Sequence, residues 1–241
     1  MQENNDSNLS WETFWKNNPT GFNDTMCQST LYFASQLDKK IPIEATDRIL
    51  DIGCGPGFLT SYLIDKCEFI FGTDISTSYI ADNKSKFNAQ KNVEFSTSKP
   101  YDFTAYTDII TQHKINRVVV LSVLQYYENK QQIKDLLMAL KACKGNQKFS
   151  CLLADIIPTK HSALSDIKDI ISHARKEGYT FKFLKFLGYA IFSNYRKIKS
   201  IGMLQVDPSF FTQLGKDLKI DVTIMKNITL HSDRYSVLIN F

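Results

Sequence analysis

Three glycines at alternate positions, Gly53, Gly55 and Gly57, follow a short apolar stretch that contains one acid, Asp51. Apolar residues recur at helical spacing after the last glycine, so the pattern predicts a buried strand, a tight turn and the start of a helix. Glycines at such a turn permit backbone angles closed to other residues and let a ligand approach the main chain. Because this geometry also directs backbone N–H groups at the ligand, the stretch predicts a site for a nucleotide-like cofactor.

The spacing of the glycines distinguishes this loop from two other kinds. Dinucleotide-binding loops use G-x-G-x-x-G, whereas the third glycine here comes one residue early, and the Gly-Lys-Ser/Thr ending of a P-loop is missing. Residues 49–57 instead resemble, at every position, the first motif of class I S-adenosylmethionine (SAM) dependent methyltransferases, (V/I/L)-(L/V)-D-x-G-x-G-x-G. The resemblance implies that the cofactor, and its methionine part above all, is held by Asp51, Gly53, Cys54, Gly55 and Gly57.

The next strand supports a cofactor that carries a ribose. Asp74 ends this strand, 17 residues after Gly57. In a βαβ unit, an acid at that strand end can accept both ribose hydroxyls of a bound nucleoside. The resemblance further implies that Ile75 presses on the adenine and that Ser122, after the fourth strand, lies near the cofactor.

The adenine contact is the point at which this sequence departs from the family. Many class I members carry an acid after the third strand that bonds the adenine amino group. The aligned position here holds Lys99. Either Asp102 or a backbone group would then take the place of that acid.

Strands and helices alternate along the chain at a spacing that predicts a doubly wound α/β sheet. Strands are predicted at residues 48–52, 68–74, 92–95, 116–121, 148–155, 219–225 and 234–241, and helices at 57–66, 76–88, 129–143, 162–177 and after 207. The last two strands share a short loop and are therefore antiparallel. We expect a seven-stranded, mostly parallel sheet with an antiparallel C-terminal strand, an N-terminal helical cover and a helical lid insertion. The expected divisions are 1–44 for the cover, 45–157 for the Rossmann-like SAM-binding core, 158–206 for the insertion and 207–241 for the closing helix and hairpin.

The insertion has a composition of its own. From residue 175 to residue 199, aromatic residues are interleaved with seven positive charges against one negative charge. A long insertion of this kind between two strands predicts a lid over the site. A helical subdomain or a dimer arm, packing its aromatic residues for stability, is the alternative.

Candidate bases lie at the cofactor side of the predicted sheet. The antiparallel last strand begins on that side, which places His231 and Arg234 toward the pocket. His161 follows the fifth strand, and Tyr126 follows the fourth. The candidate catalytic residues are therefore His231, His161 and Tyr126. For each of them, a packing or surface role is the alternative. A base is needed only when the nucleophile carries a proton that it does not readily lose.

The composition of the 241 residues is that of an ordinary globular protein, with 43% hydrophobic residues, 22% charged residues and a net charge of +4. The five cysteines form no C-x-x-C pair, which favours reduced thiols in a cytoplasmic protein. The N-terminus has no features of a secretory signal, and no apolar run is long enough for a membrane span.

Missing motifs narrow the expected chemistry. The (D/N/S)-P-P-(Y/F/W) tetrapeptide of enzymes that methylate nucleobase nitrogens is absent after the fourth strand, and the fifth strand ends in Asp-Ile rather than the Asp-Asn of metal-dependent catechol enzymes. We therefore expect no metal. The expected reaction is SAM-dependent methyl transfer to O or N of a small, partly apolar metabolite. An acidic carrier protein is a candidate partner. The alternatives are an RNA methyltransferase that uses the basic stretch, and a non-catalytic SAM-binding protein that serves a partner.

Overall fold

A single sheet of seven strands forms the centre of the molecule, of which a computed structural model describes residues 10–17, 23–145, 148–160, 163–178, 180 and 202–241. The strands run in the order β3-β2-β1-β4-β5-β7-β6. The first five are parallel, and β7 is antiparallel to both of its neighbours. The strands are β1 (Arg48–Ile52), β2 (Phe69–Asp74), β3 (Val93–Thr97), β4 (Arg117–Leu121), β5 (Ser150–Ile156), β6 (Asp221–Lys226) and β7 (Tyr235–Asn240). This topology confirms the predicted fold class.

Helices cover both faces of the sheet, and apolar side chains fill the space between the layers. Strands β2 and β5 are buried along their whole length, as their near-continuous apolar runs predict for parallel strands with helices on both faces. The described helices are α1 (Trp11–Lys16), α2 (Asn23–Lys40), α3 (Phe58–Leu63), α4 (Thr77–Lys86), α5 (Phe103–Gln112), α6 (Lys130–Ala142), α7 (Ala163–Lys176) and α8 (Pro208–Leu218).

Helix α5 is an element that the sequence pattern did not predict. Its residues are rich in threonine, isoleucine and aromatic side chains, which have modest helix propensity. Two features of the fold stabilise the helix nonetheless. Asp102 Oδ1 accepts a hydrogen bond from Ala105 N over 3.1 Å and so caps its first turn. Tyr106 and Ile110, four residues apart, are both buried in the core.

The chain leaves the sheet after β5 and returns at Val206, next to the point where it left. Val206 N donates a hydrogen bond to Ile157 O over 2.8 Å, and Tyr235 Oη on β7 donates to Val206 O over 2.7 Å. Within the insertion, α7 forms where the sequence predicted a helix. The aromatic and basic residues from 181 to 201 lie outside the described residues.

Along the ranges that the structure describes, no helix has the length and apolar character that crossing a membrane requires.

Candidate active site

The loop after β1 is built by glycines with positive φ. Gly53 has φ 79°, and its amide and that of Cys54 both donate to Thr73 O, over 2.8 and 2.9 Å. A Cβ on Gly53 would lie 2.3 Å from Val123 Cγ2. Only glycine therefore fits this position, because the backbone angle and the neighbouring side chain both exclude a larger residue.

Asp74, at the end of β2, holds this loop to the next helix. Its Oδ2 accepts a hydrogen bond from Gly55 N and its Oδ1 accepts one from Ser76 N, each over 2.8 Å. Asn83 on α4 adds a bond from its Nδ2 to Gly55 O, also over 2.8 Å. Burial raises the pKa of Asp74, and the bonds from Ser76, Gly55 and Ile75 oppose that rise. The loop is thus fixed through both the N–H and the carbonyl of Gly55.

Asp51, on β1, is the second acid of the site. It is only 3% exposed, and its Oδ2 has no hydrogen-bond partner within the described structure. Burial, followed by the charge of Asp74, raises the pKa of Asp51 to about 7. A buried carboxylate oxygen without a partner costs free energy, which a cationic or hydrogen-bond-donating ligand would recover.

A cavity of about 640 Å³ lies beyond the carboxyl ends of the parallel strands, where α/β sheets bind ligands. Asp51, the glycine loop and Asp74 line one part of it. Helices α1, α2 and α7 and the strand ends complete the lining. The volume is in the range of a cofactor or small-molecule site.

One wall of the cavity is aromatic. The ring of Tyr126, in the short 3-10 turn after β4, lies 4.9 Å from the ring of Trp11 and 5.6 Å from that of Trp15. Trp11 Nε1 donates a hydrogen bond to Gly202 O over 2.8 Å. The first helix is therefore attached to both the core and the end of the insertion.

A buried guanidinium, that of Arg234, joins acids from two elements at the cavity. Its Nη1 donates to Asp155 Oδ2 over 2.7 Å and to Gln125 Oε1 over 3.1 Å, and its Nη2 donates to Asp166 Oδ2 over 2.5 Å. Burial alone would raise the pKa of Asp155, but the charge of Arg234, followed by that of His231 and the bond from Ser122, holds it below its ordinary value. The pKa of Asp166 is also lowered, because the neighbouring imidazole of His231 and the charge of Arg234 outweigh its burial.

His231 lies beside this cluster and lines the cavity. Its Nδ1 is 3.1 Å from Asp166 Oδ1, an ion-pair distance at an angle outside that of a regular hydrogen bond. The neighbouring Ser232 binds the same helix, because its N and its Oγ both donate to Asp169 Oδ2, over 2.7 and 2.8 Å. Helix α7 of the insertion is thus attached to the loop before β7 by two carboxylates.

Comparison with known proteins agrees with this geometry. Residues 49–144 match the methyltransferase domain family. Within this range, the chain carries a methyltransferase domain. A probable cobalt-precorrin-6B C(15)-methyltransferase (decarboxylating) of Methanococcus vannielii is 33% identical over 86 residues, which cover 34% of this chain and 43% of that protein. The chain thus spans under half the length of the curated relative it matches.

Solved methyltransferases share the fold of this chain over most of its length. The DhpI–SAM–HEP complex superposes with a TM-score of 0.58 at 11% identity, over 95% of this chain and 94% of that one. Magnesium protoporphyrin IX methyltransferase of Synechocystis PCC 6803, with S-adenosylhomocysteine bound, superposes with a TM-score of 0.55 at 15% identity, over 95% and 97% of the two chains. At these identities the likeness concerns the fold alone.

Most of the sequence-predicted residues meet in this cavity. The lining includes Asp51, Gly53, Cys54, Gly55, Asp74, Ile75, Ser122, Tyr126 and His231. Gly57 instead caps the start of α3 with φ 73° and is not among the lining residues that the structure describes. His161 lies outside the described residues.

The region after β3 differs from the expectation for the adenine contact. Asp102 uses its carboxylate to cap α5, and neither it nor Lys99 belongs to the described lining. Ser98 and Tyr106 line the cavity here instead.

Three polar residues of the site were not singled out from the sequence: Asn83, Gln125 and Asp166. Asn83 and Asp166 lie on helices whose polar residues resemble an ordinary solvated face. Their roles depend on contacts with elements far away in the chain, which spacing along one helix does not encode.

Proposed function

We propose that the chain transfers a methyl group from SAM to O or N of a small, partly apolar acceptor. The observation that carries this proposal is that one cavity holds the glycine loop, two acids, an aromatic wall and a histidine. A cofactor and a small acceptor can therefore lie side by side within it.

The two acids beside the glycine loop fit SAM. Asp51 Oδ2 would accept from the ammonium of the methionine part, beside the turn made by Gly53 and Gly55. Asp74 at the strand end would accept from the ribose, and Ile75 would pack on the adenine. SAM, when bound, supplies a methyl group on a positively charged sulfur. Its transfer forms a carbon–heteroatom bond as the carbon–sulfur bond breaks and its electron pair stays on sulfur.

The residues of this chain would contribute alignment, shielding and a proton acceptor. The glycine loop and its supports fix one reactant, and most of the rate of such a displacement comes from alignment and close approach. The ring contacts of Trp11, Trp15 and Tyr126 keep water from that wall. His231 would take the proton of the acceptor as a general base.

The charges of the described lining favour a small acceptor over RNA. Carboxylates of Glu12, Asp51, Asp74, Asp155 and Asp166 face the cavity, and the guanidinium among them, that of Arg234, already pairs with two of these acids. Phosphates would be repelled from such a lining. The aromatic wall suits an acceptor with an apolar portion.

Isothermal titration with SAM is the first test. We expect one site per chain, together with a change in intrinsic fluorescence, since both tryptophans of the sequence lie in the cavity wall. Methyl transfer from isotopically labelled SAM to a panel of small alcohols, phenols and amines then identifies the acceptor class. A protein that folds but binds no SAM at roughly millimolar concentration, equivalent to about −4 kcal/mol, contradicts the proposal.

A further inference from the structure

Two acids one turn apart on α7 have different partners on the loop before β7. Asp169 binds the backbone and side chain of Ser232, which attaches the helix to the loop. Asp166 faces the imidazole of His231 through Oδ1 and the guanidinium of Arg234 through Oδ2. The first contact is structural, whereas the second reaches a group that lines the cavity.

The position of Asp166 determines which nitrogen of His231 carries hydrogen. A carboxylate oxygen is only an acceptor, and an unprotonated ring nitrogen is also an acceptor. At 3.1 Å two acceptors would repel, so Nδ1 carries the hydrogen in both charge states of the ring. The lone pair of the neutral ring is then on Nε2, the nitrogen that does not face Asp166.

The charged groups around the ring belong to three different elements. They are Asp166 on α7, Asp155 near the end of β5 and Arg234 immediately before β7. Together they carry one net negative charge while the ring is neutral. A proton on Nε2 brings the cluster to neutrality, whereas a negatively charged acceptor would add to the existing excess.

We propose that Asp166 is a positioning residue that holds His231 with its hydrogen on Nδ1, so that Nε2 receives the proton of a hydroxyl or amine acceptor. This inference rests on the proposed function and deepens it. As the acceptor heteroatom bonds the methyl carbon, its bond to hydrogen breaks and the proton passes to Nε2, while the electron pair of the broken carbon–sulfur bond stays on sulfur. The acceptor class that follows is neutral or cationic, with a proton on its nucleophilic atom.

Nitrogen NMR of the ligand-free protein tests the tautomer without any acceptor. The chain has four histidines, so the spectrum of His231→Gln assigns the signals of His231. At pH 8 we expect Nδ1 to give a protonated shift and Nε2 an unprotonated one in the wild type. Asp166→Asn should produce a mixture of both tautomers, and Asp166→Glu should restore the wild-type pattern. Asp169→Asn, on the same helix, should leave the tautomer of His231 as it is in the wild type.

Two outcomes would overturn the proposal: hydrogen on Nε2 in the neutral wild-type ring, or an unaltered tautomer in a folded Asp166→Asn. Circular dichroism establishes folding, and Asp166→Glu keeps the charge if the amide variant is unstable.

With an acceptor from the panel, Asp166→Asn should lower kcat at least tenfold and leave SAM affinity unchanged, and Asp169→Asn should alter neither. Failure of the wild type to bind SAM would contradict the proposed function, whereas the tautomer result tests Asp166 independently of it.

Discussion

Arg234 and Asp155 form a buried ion pair in which Nη1 donates to Oδ2 over 2.7 Å. The same Oδ2 accepts from Ser122 Oγ over 2.7 Å. Ser122 and Asp155 have φ 56° and 68°, backbone angles that persist only where the surroundings fix them. The pair therefore joins the ends of β4, β5 and β7 at the border of the cavity.

Arg234→Met should lower the free energy of unfolding by about 3–5 kcal/mol at pH 7, because two carboxylates are left without their guanidinium. Arg234 lowers the pKa of Asp155 and Asp166 in the folded protein. Its stabilising effect is therefore complete above the pKa of an unfolded aspartate and is lost as pH falls through the pKa values of the folded protein. Urea unfolding at pH 7 and pH 3 should thus show a smaller difference between variant and wild type in acid. Arg175→Met, at an exposed position on α7, is the control and should change stability by less than about 0.5 kcal/mol.

Asp51→Asn should stabilise the ligand-free protein at high pH. The folded pKa of about 7 lies above the unfolded value, so the wild type loses stability as pH rises through about 7. The amide does not titrate, and the variant should gain about 3 kcal/mol on the wild type between pH 5 and pH 8. Urea unfolding at the two pH values measures this, with the exposed Asp65→Asn as control. A gain that is equal at both pH values would contradict the assignment of the titrating group.

Asp74→Ala should weaken SAM binding at least tenfold, because the variant loses the acceptor proposed for the ribose and leaves the amides of Gly55 and Ser76 without theirs. Hydrogen bonds to a charged group contribute about 1.5–3 kcal/mol. Isothermal titration provides the measurement. Asp82→Asn, an exposed site on α4, should bind SAM as the wild type does. If Asp74→Ala binds SAM with the same affinity as the wild type, Asp74 does not contribute to cofactor binding.

Gly53→Ala should destabilise the protein by about 2–3 kcal/mol through the positive φ and the contact with Val123. Adding Val123→Ala should recover only the part that comes from the contact, since the backbone angle is unchanged. Thermal unfolding of the two single variants and the double variant separates the terms. Gly145→Ala is the control, because a Cβ there meets nothing within 4 Å.

Local patterns in the sequence were enough to predict the residues that we propose for cofactor binding. Apolar runs and glycine spacing predicted the strands, and parallel topology then required Asp51 and Asp74 to lie at the same edge of the sheet. Such features follow from short-range chemistry combined with one topological rule. Asp51 and Asp74 both line the cavity.

The acceptor half depends on contacts that the sequence does not encode locally. Asp166 meets His231 and Arg234 across 65 and 68 positions of the chain, and nothing in its own helix distinguishes it from Asp169. Helix α5 was missed for a related reason, because burial of Tyr106 and Ile110 outweighs modest propensity. Contacts between residues that lie far apart in the sequence depend on the tertiary structure, so local patterns do not predict them.

The hydrogen bond from Val206 N to Ile157 O brings the two ends of the insertion together at one point of the core. A segment joined to a scaffold through adjacent ends can be lengthened, shortened or replaced while the sheet keeps its register, since closing a longer loop costs little extra entropy. Grafting is therefore practical at this point: the segment between these two residues can be exchanged for one from another member of the fold. Evolution has the same freedom to diversify it while the cofactor loop stays intact.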